Sequence, residues 1–276
     1  MSKYALYRLK DMITNVEALA WSVGFIEFWV LMWLFVFSPD NPVEVGWSEA
    51  VVKGNIAMAY SFLGILSMSS AAVGLTTGIY RSSFARRYIT KFGRLTPARL
   101  VAEDFASSLV SVLFFAGVIF ASVEALSYLR WGVLAVPDNP VGVVADLVLA
   151  GVILYWLAYD IAMALIVARR VRGVSGGSML TLIVGFVVYA QLWVSFGNLV
   201  YLVPLAPLPG LLMYHSISAY PPIGAYLLWL SGVDSVEVIN LRLAAASSIV
   251  WALLLAGVAV VLTRKGGAVS VEEIGM

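Results

Sequence analysis

The 276 residues are 62% hydrophobic and 12% charged, with a formal net charge of +1, one histidine and no cysteine. Soluble globular domains average about 45–50% apolar and about 25% charged residues, so a soluble enzyme, a disordered chain and a disulfide-stapled secreted domain are excluded. An integral membrane protein remains, with no case for nucleic acid and none for a metal or thiol active site.

A hydrocarbon core about 30 Å thick needs about 20 consecutive apolar residues in a helix. Six stretches meet this length, at 18–37, 56–79, 105–128, 141–168, 179–203 and 243–263. The second, fifth and sixth carry no charge; the first contains Glu27, the third Glu124, and the fourth Asp146 and Asp160. Period-2 alternation is absent, which argues against a β-barrel. The first stretch is too long for a signal-peptide core, and no small-residue cleavage site follows it, so it counts as a helix. The fold class expected is an all-α integral membrane protein with six transmembrane helices.

Lysine and arginine set the orientation, because they concentrate in short cytoplasmic loops. Lys3, Arg8 and Lys10 precede the first stretch. Arg81, Arg86, Arg87, Lys91, Arg94 and Arg99 follow the second, Arg169, Arg170 and Arg172 the fourth, and Arg264 and Lys265 the sixth. Fourteen of the 17 basic residues thus lie on one side, leaving Lys53, Arg130 and Arg242. Both termini are expected on the cytoplasmic side of a cell membrane, the chain crossing it several times. Two outer turns share the string PDNPV, at 39–43 and 137–141, where proline stops or starts a helix.

The inner connection 80–104 is the most informative stretch. Ser82 or Ser83 is expected to cap a short helix over 84–92, with Gly93 ending it in a left-handed conformation. Thr96 then caps a new helix with Pro97 at its first position. Phe84, Tyr88 and Phe92 form one aromatic stripe, flanked by Arg86, Arg87 and Lys91. By composition alone this is a positive-inside loop resting on headgroups, its aromatics anchoring it at the interface.

Glu27 lies midway along the first stretch, where a charge costs roughly 2.5–3.5 kcal/mol on insertion scales. Two readings stand for it: a functional intramembrane acid, or a carboxyl hydrogen-bonded against another helix. Asp160, about two turns from Arg169, is expected to be wet and structural, and Glu124 and Asp146, near outer ends, structural too. Gln191, Ser195 and Asn198 fall at i, i+4 and i+7 of the fifth stretch, a polar stripe that either lines a translocation path or bonds a neighbouring helix. Ser70, Gly74 and Gly78 form a small-residue ridge for close packing. Between the last two stretches, 204–240 is apolar but holds five of the ten prolines, and is expected to form short re-entrant or interfacial outer helices. His215, within it, reads as an interfacial side chain without partners.

The layout resembles a type-2 ABC transporter permease, the membrane half of an ATP-driven exporter. The string FGRLTPARLVAEDFASSLVSVLFF is similar to that family's leucine–threonine–proline turn into the third span. The family often has an acidic, glycine-containing stretch before that turn, where this chain has basic YRSSFARR. The resemblance implies an amphipathic N-terminal helix over 1–16, with Leu6, Leu9, Ile13 and Val16 on one face. It also implies a coupling helix in 80–104 whose Phe84, Arg86, Arg87, Tyr88, Lys91 and Phe92 contact a separate ATPase subunit. A second permease copy, identical or not, would complete the path through the lipid, and 264–276 would be a cytoplasmic tail. The chain has no GxxxxGK[ST] loop, so ATP and Mg are expected on the partner and neither cofactor nor catalytic residue on this chain. Rival readings are a proton-coupled carrier or channel using Glu27 with Asp146 or Asp160, and a non-transporting membrane scaffold.

Overall fold

In the computed structural model the described residues are Leu6, Lys10, Thr14, 16–38, 49–92, 96–132, 134, 136–168, 173–232 and 237–265. Eight helices and a separate 3₁₀ helix at Gly197–Leu202 are formed among them. The eight are α1 over 16–37, α2 over 49–92, α3 Pro97–Trp131, α4 Pro140–Val167, α5 over 174–192, α6 Leu208–Ile217, α7 Tyr226–Leu230 and α8 Leu241–Lys265. No strand occurs among the described residues, only isolated bridges pairing Ser195 with Gly224 and Pro222 with Val238. Four helices contain stretches long and apolar enough to cross a membrane: Val51–Tyr80, Ala98–Trp131, Pro140–Val167 and Leu241–Lys265. Glu27–Phe37 and Gly176–Leu192 are shorter apolar helices. The chain is thus a helical protein with the makings of a multi-pass membrane protein. Most of the expected N-terminal amphipathic helix, the first PDNPV turn and the tail after Lys265 lie outside the described residues.

Local chemistry accounts for the helix ends. Thr96 is extended (φ −67°, ψ 152°), its side chain accepts from Arg99 N at 3.3 Å, and Pro97 follows in the first turn. This is the start expected for α3, because the missing proline donor costs nothing in a first turn and the hydroxyl satisfies one otherwise orphaned N–H. Gly132 ends α3 at φ 66°, its N–H bonded to Tyr128 O at 2.8 Å. The second PDNPV string opens α4, where Asn139 Oδ1 accepts from Gly142 N at 2.9 Å ahead of Pro140.

α2 is the axis of the bundle. Its most apolar window is buried throughout, against 11% for that of α8, and it packs against α1, α3, α4, α5 and α6. α4 is the second hub, touching α2, α3, α5, α6 and α8. Tyr60, Phe62, Leu63, Ile65 and Leu66 of α2 and Leu154, Tyr155 and Tyr159 of α4 are among the buried core residues. Three hydroxyls along α2 bond back to their own helix, Ser61 to Ala57 O, Ser69 to Ile65 O and Thr76 to Ala72 O, and need no neighbour, whereas Ser67 Oγ is buried without a partner. Of the small-residue ridge, Ser70 is fully buried and Gly74 and Gly78 are half-buried.

Two expectations change. The helix over 84–92 is not a separate element: Gly64–Phe92 runs unbroken. Ser82 does not cap it, because its hydroxyl donates back to Ile79 O at 2.8 Å inside the helix. The fifth stretch is also shorter than its apolar run. Its α-helix ends at Tyr189 and a 3₁₀ turn at Leu192, after which the chain bends through Gly197 (φ 52°) and Leu205 (φ 68°).

Residues 193–232 and 237–240 form a cap over the end of the bundle where α2 and α4 begin. Val194 O accepts from Ala225 N at 3.4 Å. A Cβ on Gly224 would lie 2.7 Å from both Ser195 Cα and Val194 O, so only glycine lets these two backbones approach. α6 is buried along most of its length, opens with Pro209 in its first turn and ends at Ser218 (φ 51°). Its ten residues span about 15 Å, roughly half a hydrocarbon core. The short helices α6 and α7 are what the proline-rich 204–240 stretch leads one to expect.

Candidate functional site

The polar side chains of the bundle lie at seams between helices. Tyr60 sits in a π-helical turn of α2, Ala59–Leu63, and donates to Glu124 Oε1 of α3 at 2.6 Å. Its ring stacks on Phe120 with centroids 5.7 Å apart. The extra residue of a π turn swings a side chain out of ordinary register, and such turns gather at functional positions. Here it brings the phenol to a buried carboxylate. Tyr155 of α4 donates to Asp104 Oδ2 of α3 at 2.9 Å, and Tyr159 shares a 3.0 Å bond with Thr263 of α8. At the C-terminal end of α1, Ser38 Oγ accepts from Asn55 Nδ2 at 2.9 Å and donates to Trp33 O at 2.8 Å, tying α1 to α2.

Glu27, on α1, is half-buried and accepts a hydrogen bond from Ser122 of α3. Of its two sequence readings, the geometry is that of a carboxyl bonded against another helix.

Gln191, Ser195 and Asn198 are not brought together as a stripe, because the helix they were expected to share has ended. Gln191 is fully buried in the terminal 3₁₀ turn and donates to Ala206 O at 3.1 Å, fastening α5 to the returning cap. Ser195 is exposed and accepts from Gly197 N at 3.3 Å, and Asn198 is exposed in the next 3₁₀ turn. Phe84, Arg86, Arg87, Tyr88, Lys91 and Phe92 lie on the helical backbone of α2 beyond Tyr80; their side chains are outside the described residues.

The junction that sequence reasoning missed is His215 with Asp146. His215 Nδ1 on α6 lies 2.7 Å from Asp146 Oδ2 on α4. With the carboxylate accepting, Nδ1 carries the hydrogen. Two backbone bonds reinforce the contact, Asn139 N to His215 O at 2.9 Å and Asp138 N to Ser216 O at 3.0 Å. Gly142 makes room for the ring, since a Cβ there would lie 2.6 Å from His215 Cγ. His215 therefore does not stand alone at an interface; it fastens the buried cap helix to a hub of the bundle. The available signals were a buried-face aspartate in the second turn of α4, a glycine four residues before it, and the chain's one imidazole.

Asp160 contrasts with these carboxyls. It is 8% exposed, and both of its oxygens are buried with no hydrogen-bond partner. The expectation that it is wet is corrected: packing around α4 removes its access to water.

At the end of the bundle where α3 begins and α8 ends, a cavity of about 180 Å³ is lined by Thr96, Ala98, Val101, Val260, Thr263 and Arg264. Among the described residues, no three histidine, aspartate or glutamate side chains converge as a metal site. No protein-family model, curated protein or solved structure matches the chain.

Proposed function

We propose that the chain is the membrane permease subunit of an ABC-type exporter. In this reading it crosses a cell membrane six times with both termini in the cytoplasm. A second permease copy shares the substrate path, and a separate subunit binds ATP and Mg. The observation that carries the reading is the shape of α2. Its three consecutive segments of 10, 5 and 29 residues make one helix. At 1.5 Å per residue it is about 66 Å long, roughly twice a hydrocarbon core.

Its middle is buried at the centre of the bundle, its first turns pack against the cap helix α6, and its last three turns carry Arg86, Arg87 and Lys91. A rigid rod of this kind transmits a push on its basic end to every helix packed around it. A motor subunit in the cytoplasm is the partner such a rod suits, and this reading assigns that partner the phosphate-binding loop that these 276 residues lack.

The scaffold reading gives no reason for one buried helix to run on for three further turns that carry Arg86, Arg87 and Lys91. The carrier reading needs Glu27 as a relay, and Ser122 holds that carboxyl at the α1–α3 seam.

The test is co-expression of the full chain with any Walker-type ATPase found in a neighbouring reading frame, then purification and reconstitution into vesicles. The expected result is a stable complex whose ATP hydrolysis drives transport. The combined variant Arg86→Glu, Arg87→Glu and Lys91→Glu is expected to break binding or coupling. Wild-type coupling in that variant, or transport that follows a proton gradient and ignores ATP, overturns the proposal.

A further inference from the structure

The described carboxyl groups inside the helices share one rule and one exception. Glu27 has Ser122, Glu124 has Tyr60, Asp104 has Tyr155 and Asp146 has His215. Asp160, in the inner half of α4, has none of these: both oxygens are buried and unpartnered. An isolated ionised carboxylate in an apolar surround is the costliest arrangement a helix bundle can hold, and an intramembrane acid is a functional position by default.

We propose that Asp160 is a proton-binding site. The packed conformation holds it as a carboxylic acid, and a conformation that opens this side of α4 to water lets the proton leave.

Geometry selects the proton over other cations. A hard metal ion takes several oxygen ligands, commonly six to eight for calcium, and no side-chain donor or acceptor reaches either Asp160 oxygen. An ammonium or guanidinium group needs surface to touch, and these oxygens have essentially none. A proton needs neither ligands nor room.

The titratable groups on the helices around α4 are otherwise engaged, and the two buried hydroxyls left without a partner there, Ser67 of α2 and Ser108 of α3, do not bond Asp160 either. Tyr159, the preceding residue, bonds Thr263 of α8. Asp104 of α3 is bonded by Tyr155, one turn back. Glu124 of α3 and Tyr60 of α2 hold each other, and His215 of α6 is held by Asp146, some 21 Å along α4 at 1.5 Å per residue. Arg264, beside Thr263, is exposed and lines the end cavity. None of them makes a hydrogen bond or ion pair with Asp160. As a carboxylic acid, Asp160 can give its hydrogen to a carbonyl of its own helix one turn back, as serine and threonine do.

The site does not depend on the transport reading, and the experiment addresses it alone. Infrared spectra of the full chain in lipid nanodiscs at neutral pH are compared between wild type and Asp160→Asn. The expected difference contains the carbonyl stretch of a protonated carboxylic acid, above the amide band. A difference containing carboxylate stretches and no acid carbonyl overturns the proposal.

Should Asp160→Asn fail to assemble, a hydrophobic carbodiimide answers with the wild-type chain. The acid O–H adds across one C=N bond, oxygen to the central carbon and proton to nitrogen. The acyl group then moves from oxygen to the other, imine nitrogen, breaking its C–O bond as the urea C=O forms, and leaves a stable N-acylurea. An adduct on the peptide bearing Asp160 is the supporting result, and an unmodified Asp160 the overturning one.

Discussion

His215 and Asp146, 69 residues apart in sequence, meet at 2.7 Å and join the buried cap helix α6 to the hub helix α4. The aspartate is buried, and the imidazole is a quarter exposed at 25%. Removing the ring leaves the carboxylate with one partner fewer in a place water scarcely reaches. A hydrogen bond to a charged group contributes roughly 1.5–3 kcal/mol, and the partial exposure of the ring puts this one at the lower end. His215→Ala is expected to destabilise the protein by about that amount. Asp146→Asn should cost less, because an amide oxygen still accepts from Nδ1. A double-mutant cycle with Asp146→Ala, read by thermal unfolding in detergent, checks that the two residues act as a pair. Additive losses would show that they do not.

The same junction makes a sharper prediction at Gly142. A methyl group there would lie 2.6 Å from His215 Cγ and 2.7 Å from Asn139 Nδ2, so both the ring and the α4 cap must give way. Overpacking of this kind costs typically about 1–3 kcal/mol. Gly142→Ala should lower the unfolding temperature and free the cap, seen as faster proteolysis within 193–240. Gly117→Ala, on α3 where a Cβ meets nothing within 4 Å, is the matched control and should change neither.

What could be read from the sequence was what is local. Thr96 with Pro97, and Asn139 with Pro140, announce their helices because the cap and the first turn are contiguous in the chain. Ser82 misled for the opposite reason: a serine hydroxyl can cap a new helix or bond back inside an old one, and composition does not tell which. The end of α5 was hidden because 193–203 is as apolar as a span. It is broken by contacts with Ala206 and Gly224, which lie many residues further on. Of the site, Glu27 was visible as a charge in an apolar run, whereas the His215–Asp146 contact exists only once α6 folds back onto α4. Asp160 was visible as a residue, but its lack of partners belongs to the packing of the bundle.

Tyr60 and Glu124 test whether their buried bond holds the π turn of α2 against α3. Tyr60→Phe keeps the ring stack on Phe120 but removes the donor to Glu124 Oε1. A buried acceptor left unmet costs about 1–3 kcal/mol. The variant is expected to lose stability on that scale, and Glu124→Leu in the same background should recover part of it by removing the stranded carboxyl. If Tyr60→Phe unfolds like the wild type, the 2.6 Å contact contributes nothing to holding α2 on α3.

The continuity of α2 past Tyr80 can be broken without altering any of its basic residues. Ser82 donates its hydroxyl to Ile79 O within the unbroken helix Gly64–Phe92. Ser82→Ala removes only that side-chain bond and leaves the backbone helical, so it is expected to behave as wild type. Ser82→Pro removes a backbone donor and sets a ring against the preceding turn, a disruption of about 3 kcal/mol or more in a helix interior. It places a kink between the buried rod and its basic end. If the rod carries motion from a cytoplasmic ATPase, Ser82→Pro should still bind that subunit, because Arg86, Arg87 and Lys91 are untouched, yet transport per ATP should fall several-fold. Normal coupling with the proline in place would mean that the force enters the bundle elsewhere, the N-terminal end of α3 being the next segment to test.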